Sequence, residues 1–350
     1  MNERERTVPI LVRRNALNTA ESMLYDEVLR HVRALEDDIV VEVPRGSIQE
    51  NRVPDIYYGV LYDHPEVFWL KTSLSYSVRS ALDIDKVHLA LKWGIPKNKY
   101  EFARRKAYGE ARKFSAELPE GASAYVRAEM AYRYVNRLAK YKSRATQDQT
   151  ILGVILGHEA VCSGFAKTYQ FLLTQVGVPC GCVRGTITDG GMHLYDIIRV
   201  EGTYAYVDPT WASPCCSEDP NTYGASRQLT YRYFCLTTSE IARTHTPIKG
   251  QWLPKADSHA LDWYLRNGLL FSKLDIGGFD RVICAAIERG AHSVEVKFKN
   301  STSLDAAVSF VSSGRVWSME FPNLIGRMGC KWSYVVNDRV RTLLVSWSMQ

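Results

Sequence analysis

The stretch from Val161 to Trp211 constrains this chain more than any other. Cys162 opens a run with helical spacing, and His193 and Asp208 follow on two β-rich runs joined by a tight turn. Phe165, Tyr169, Leu172, Leu173 and Val176 recur at spacings of three and four, which predicts a strongly amphipathic helix with one apolar stripe. Gly177 and Pro179 stop it. Cys162 therefore falls in or just before the first turn, where unpaired N–H groups and the positive end of the helix dipole favour a thiolate over a thiol.

Met192 to Val200 and Thr203 to Asp208 are separated by Glu201 and Gly202, and a two-residue turn ending in Gly signals a β-hairpin. A turn of that length pairs Val200 with Thr203, which sets Tyr195 opposite Asp208 and His193 opposite Thr210. His193 and Asp208 then share a face as diagonal neighbours, with α-carbons roughly 7 Å apart. Asp196 points to the other face, so parity selects Asp208 as the partner of His193. Taken singly, a cysteine, a histidine and an aspartate are ordinary packing residues. A helix start beneath the cysteine and a common hairpin face for the other two point instead to thiol catalysis. A cysteine attacks a carbonyl carbon once deprotonated, a histidine takes and returns the proton, and a carboxylate fixes the imidazole tautomer. The backbone N–H of Cys162 would supply part of the oxyanion stabilisation.

Three motifs then match a family in order. Glu159-Ala160-Val161-Cys162-Ser163-Gly164-Phe165-Ala166-Lys167 resembles the nucleophile motif of the transglutaminase-like superfamily, Gly191-Met192-His193-Leu194-Tyr195-Asp196 its histidine motif, and Tyr206-Val207-Asp208-Pro209-Thr210-Trp211 its aspartate motif. The resemblance implies a papain-like α+β core, a Cys-bearing helix packed on an antiparallel sheet, with Cys162, His193 and Asp208 as the catalytic triad. It leaves the reaction open, because the superfamily includes crosslinkers, deamidases, peptidases, peptide N-glycanases and inactive scaffolds. Members often carry Trp and Asn after the histidine and one intervening residue, where this chain has Tyr195 and Asp196. The carboxylate bears on substrate preference more than on the triad. Asp63-His64-Pro65-Glu66-Val67-Phe68-Trp69-Leu70 resembles a pattern ahead of the catalytic core in longer bacterial members. The reading that results is cysteine-dependent acyl transfer or amide hydrolysis on a protein or peptide. The alternatives are a peptidase or amidase with water as acceptor, and an inactive scaffold.

With 350 residues, a net charge of +6, 46% hydrophobic and 23% charged residues, composition describes a globular chain of two or three domains. Arg104-Arg105-Lys106 and Lys140 to Arg144 read as solvated faces, so no nucleic-acid partner is expected. The first residues lack the apolar core of a signal peptide, and no run approaches the ~20 apolar residues of a membrane span, so a cytoplasmic location is expected. Eight cysteines in such a length do not make a disulfide scaffold. Cys180 and Cys182 share a strand face and Cys215 and Cys216 follow the aspartate motif, but no C-x-x-C pair stands among them and no metal is expected. No cofactor is required, and no EF-hand-like acidic run suggests calcium. Oligomeric state leaves no mark in the sequence.

Outside the core, helices are expected at Ala16 to Leu35, Arg52 to Leu61, Tyr100 to Leu118 and Ala124 to Lys142, with strands at Ile39 to Val43, Val67 to Ser77 and Val87 to Trp93. Gln149 to Leu156 reads as a short helix before a turn at His158, which could line the cleft. A polar loop is expected at Ser213 to Arg227, then a strand at Tyr231 to Leu236 and a short helix from Thr238. Helix Phe279 to Arg289, strand Ser293 to Phe298, helix Leu304 to Ser312 and strands near Trp332 to Val336 and Thr342 to Trp347 suggest a small open-faced sheet. The expected division is an N-terminal α+β region at 1–118, a catalytic core at 119–250 and a small C-terminal α/β domain at 270–350.

Overall fold

The structure, a computed structural model, describes residues 9–145, 147–212, 229–313 and 331–348, and is a mixture of helix and sheet. The expected polar loop, with Cys215 and Cys216, lies outside the described residues. In the N-terminal part, helix α1 (Thr19–Arg33) starts on a capping box in which Asn18 and Glu21 satisfy each other's backbone N–H groups. Strand β1 (Asp38–Pro44) alternates buried and exposed residues along its whole length. Helix α2 (Val53–Asp63) precedes the antiparallel pair β2 (Leu70–Ala81) and β3 (Ile84–Trp93), which forms a sheet of order β1-β3-β2. Met23 is 50% exposed, and Leu24, Tyr25, Val28 and Val32 are the buried set of α1.

Helices α3 (Tyr100–Glu117) and α4 (Ala124–Leu138) follow. The second ends earlier than expected, because Lys140 and Tyr141 form β4 (Lys140–Tyr141), parallel to β5 (Glu159–Ala160). Between these strands the backbone at Gly153–Gly157 is a π-helical turn, closed by His158 in the left-handed region. Helix α5 (Cys162–Gln175) differs from the amphipathic helix its stripe suggests: Gly164 through Leu173 are all buried. It is wrapped by α3, α4 and the sheet, with Phe165, Tyr169, Leu172 and Leu173 at 0% exposure. Such side chains each contribute about 1.5–3 kcal/mol of burial.

The sheet beneath it has order β8-β7-β6-β9, from β6 (Cys180–Ile187), β7 (Met192–Val200) and β8 (Thr203–Val207), with β9 later in the chain. Val200 pairs with Thr203 and Asp196 with Val207, the register expected from a two-residue turn. Glu201 and Gly202 have φ of +52° and +77°, the two left-handed residues of a type I′ hairpin. Tyr231 to Leu236 is not a strand. It is a turn with Cys235 at φ +61°, and only Leu236 bridges to Tyr206. Helix α6 (Thr238–Ile241) then leads to β9 (His245–Pro247), antiparallel to β6.

After α7 (Trp263–Arg266) come β10 (Leu270–Phe271), α8 (Ile276–Glu288), β11 (Ser293–Phe298), α9 (Ser301–Ser312), β12 (Lys331–Asn337) and β13 (Thr342–Ser348). Their sheet has order β10-β11-β13-β12 and a separate apolar cluster built on Phe279, Ile283, Phe298, Leu304 and Val345. Lys297 of β11 ties this sheet to the preceding part through Glu240 at 2.7 Å and Asp262 at 2.6 Å.

Candidate active site

The N-terminal end of α5 meets the start of β7. Strand β8 ends opposite Asp196, and among the described residues no strand pairs with the β7 edge beyond that point. There the half-buried Cys162 thiol comes close enough to the His193 ring and to the backbone N–H of Leu194 for both to favour its thiolate. On the other side of the imidazole, His193 Nε2 donates to Asp208 Oδ2 at 2.8 Å. The structure thus brings Cys162, His193 and Asp208 together.

Asp208 follows β8 and is held on every side. Its own N–H donates to the carbonyl of Tyr233, and its Oδ1 accepts from the N–H groups of Thr210 (2.9 Å) and Trp211 (3.4 Å). Asn136 of α4 donates to the carbonyl of Pro209 at 2.9 Å, which anchors the turn. Asp196 lies on the opposite face of β7, as parity requires, against the thiols of Cys180 and Cys182.

His245 is the member that sequence reasoning missed. Its Nε2 lies 3.3 Å from Asp208 Oδ2, and its Nδ1 lies 2.9 Å from Thr244 Oγ1. It packs among Trp211, Tyr195 and Tyr233 with ring centres 4.5, 4.7 and 5.7 Å away. Gly185 permits this approach: a Cβ there would stand 2.6 Å from the Thr246 carbonyl oxygen, so β9 could not lie so close to β6. That glycine faces both His193 and Pro247, and a glycine inside a strand signals a close backbone approach without saying which segment makes it. His158, by contrast, is exposed and bonds the Leu138 carbonyl.

Burial would raise the Cys162 pKa, but the hydrogen bond and charge of His193 outweigh it, so the thiol lies below its ordinary value. Burial would lower His193, and the Asp208 charge and hydrogen bond outweigh that, so the imidazole is pushed up to about 10. Asp208 is likewise desolvated, yet the His193 charge and the bonds from both histidines hold it below the usual carboxylate range. All three directions favour a thiolate beside an imidazolium. The ligand atoms of His193, Asp208 and His245 lie within 4.8 Å of one another, so these are residues that could hold a metal ion, although here both Nε2 atoms share one carboxylate oxygen. Glu240, His259 and Asp262 form a second such group, with Lys297 on two of its carboxylates.

No protein-family model and no curated protein matches the chain. Among solved structures it is similar to a TGase, at 12% identity and TM-score 0.31, over 56% of this chain and 55% of that one. It is also similar to a protein of Cytophaga hutchinsonii described as a candidate cysteine protease, at 11% identity and TM-score 0.26, over 40% and 63%. A third is a candidate protease of Parabacteroides distasonis, at 12% identity and TM-score 0.24, over 48% and 39%. The chain spans less than two thirds of the length of each of these structures, and the solved structures it resembles are transglutaminase-like and cysteine-protease-like proteins.

Proposed function

We propose that this chain is a cysteine-dependent acyl-transfer enzyme of the transglutaminase-like kind, acting on an amide of a protein or peptide. The observation that carries the reading is the chain of contacts from the half-buried Cys162 thiol through His193 to the fully buried Asp208. The Cys162 thiolate attacks the amide carbon, and the charge gathers on the carbonyl oxygen, near the N–H groups at the start of α5. His193 gives its proton to the leaving amine as the C–N bond breaks, which leaves a thioester on Cys162. An amine or water then loses a proton to His193 and attacks the thioester, releasing the product and the thiolate. Asp208 holds the imidazole tautomer and offsets its positive charge. In this reading the catalytic unit is residues 119–250.

Iodoacetamide near neutral pH tests the nucleophile. Fast stoichiometric labelling of Cys162, abolished in His193→Ala, is expected; an inert Cys162 returns the chain to the scaffold reading. Incorporation of a labelled primary amine into a glutamine peptide then separates amine transfer from hydrolysis.

A further inference from the structure

Two lysines are buried among the described residues. Lys297 lies between two carboxylates. Lys167, 7% exposed, has no carboxylate within ion-pair distance and no hydrogen-bond acceptor among the described residues. Its ammonium stands 4.8 Å from the Tyr62 ring centre, and the Arg184 guanidinium stands 5.1 Å from that ring. Tyr62 and Cys162 both pack on the cluster of Ala166, Cys182 and Leu194. Burial pushes Lys167 down to about 8. The Lys167 ammonium is not sealed: it keeps contact with solvent, where an arriving anion can pair with it.

Lys167 lines a cavity of ≈ 300 Å³, together with Lys71, Thr72, Ser73, Asp148, Gln149 and Thr150. That wall touches the nucleophile's own helix: Val161 N–H donates to the Asp148 carbonyl at 3.1 Å, and a Cβ on Gly164 would lie 2.5 Å from the same oxygen. Lys167 follows Cys162 by five residues, about 7.5 Å along the helix axis and roughly 140° around it, so Tyr62, which packs beside Cys162 and beneath the Lys167 ammonium, is what links the two. The volume is at the small end of ligand sites and suits a group of amino-acid size. The lining carries two lysines and one aspartate, a net positive charge that favours a monoanion. The hydroxyls of Thr72 and Ser73 and the amide of Gln149 supply donors for a second oxygen, while the Thr150 hydroxyl already donates to the Gln147 carbonyl.

We propose that this cavity is a subsite for a carboxylate carried by the acyl donor close to its reacting amide, a proposal that rests on Cys162 being the nucleophile. Binding to Cys162→Ala protein tests it without chemistry. Three fluorescent glutamine peptides are compared by anisotropy: one with a neighbouring Glu and an amidated C-terminus, one neutral and amidated, and one neutral with a free C-terminal carboxylate. At least one acidic peptide is expected to bind about tenfold or more tightly than the neutral one. Which of the two does so separates a side-chain from a terminal carboxylate. Adding Lys167→Met removes the preference, and Lys167→Arg retains part of it. Equal affinities, no binding of either acidic peptide at millimolar concentration, or a preference untouched by Lys167→Met overturns the proposal. The peptide comparison in the Cys162→Ala protein stands whether or not Lys167→Met folds. An inert Cys162 with the preference intact removes the reaction and leaves an anion-binding cavity, while a reactive Cys162 with no preference removes only the subsite.

Discussion

Asp208 and Asp196 are both 0% exposed and belong to one hairpin, yet they are driven in opposite directions. Asp208 meets two imidazoles and two peptide N–H groups and lies below the carboxylate range. Burial of Asp196 is answered by two thiols, weak donors, and by the charge of His193, and its Oδ2 has no hydrogen-bond partner among the described residues, so its carboxyl lies well above that range. Burial alone does not decide the charge of a carboxyl; the donors around it do. The two faces of β7 thus separate a polar site from a thiol-lined core.

The contrast breaks most visibly by removing the charged member. Asp208→Ala leaves His193, His245 and the N–H groups of Thr210 and Trp211 around a void, and is expected to cost about 3–5 kcal/mol in urea unfolding. A loss below ~1 kcal/mol would falsify the account of Asp208 as the ionised hub.

His193→Ala sharpens the comparison at the thiol. Because His193 lowers the Cys162 pKa and is itself pushed up to about 10, the parent thiolate persists below the ordinary thiol range. In the variant the thiolate fraction falls tenfold per pH unit beneath its pKa, near 8.5 or higher once buried. Alkylation at pH 6 is therefore expected to slow by tenfold or more, and superimposable rate profiles from pH 5 to 9 would end the ion-pair reading.

The hairpin was legible because strand parity is strict: the two-residue turn fixed which side chains share a face, and Asp208 was chosen over Asp196 without coordinates. The start of α5 was legible from its stripe, but its burial on all sides was not, since that depends on α3 and α4 packing from elsewhere in the chain. His245 was illegible because it arrives through β9, 37 residues beyond Asp208. A local pattern carries no record of which strand pairs with β6. Tyr231 to Leu236 reads as β-rich because its aromatic residues pack on the core, while the left-handed Cys235 turns the chain.

His245→Phe probes the second histidine more gently. The ring still fits among Trp211, Tyr195 and Tyr233, but one donor to Asp208 is lost. With His193 still in place, a cost of about 1–3 kcal/mol in urea unfolding is expected. A variant as stable as the parent would reduce His245 to a packing residue.

Asp196→Asn should be the mildest change. An amide has the shape of a protonated carboxyl and keeps an oxygen toward Cys180 and Cys182, so near neutral pH the cost is expected to stay within ~1 kcal/mol. The pH dependence is more informative than the size. A carboxyl raised in the folded state keeps a proton that the unfolded chain has released above about pH 4, so its contribution to stability declines as pH rises from there toward the folded pKa. Asn does not titrate, and the variant should gain on the parent between pH 4 and 8. A difference that runs the other way would mean that Asp196 is ionised like Asp208, and that the two faces of β7 do not differ in charge.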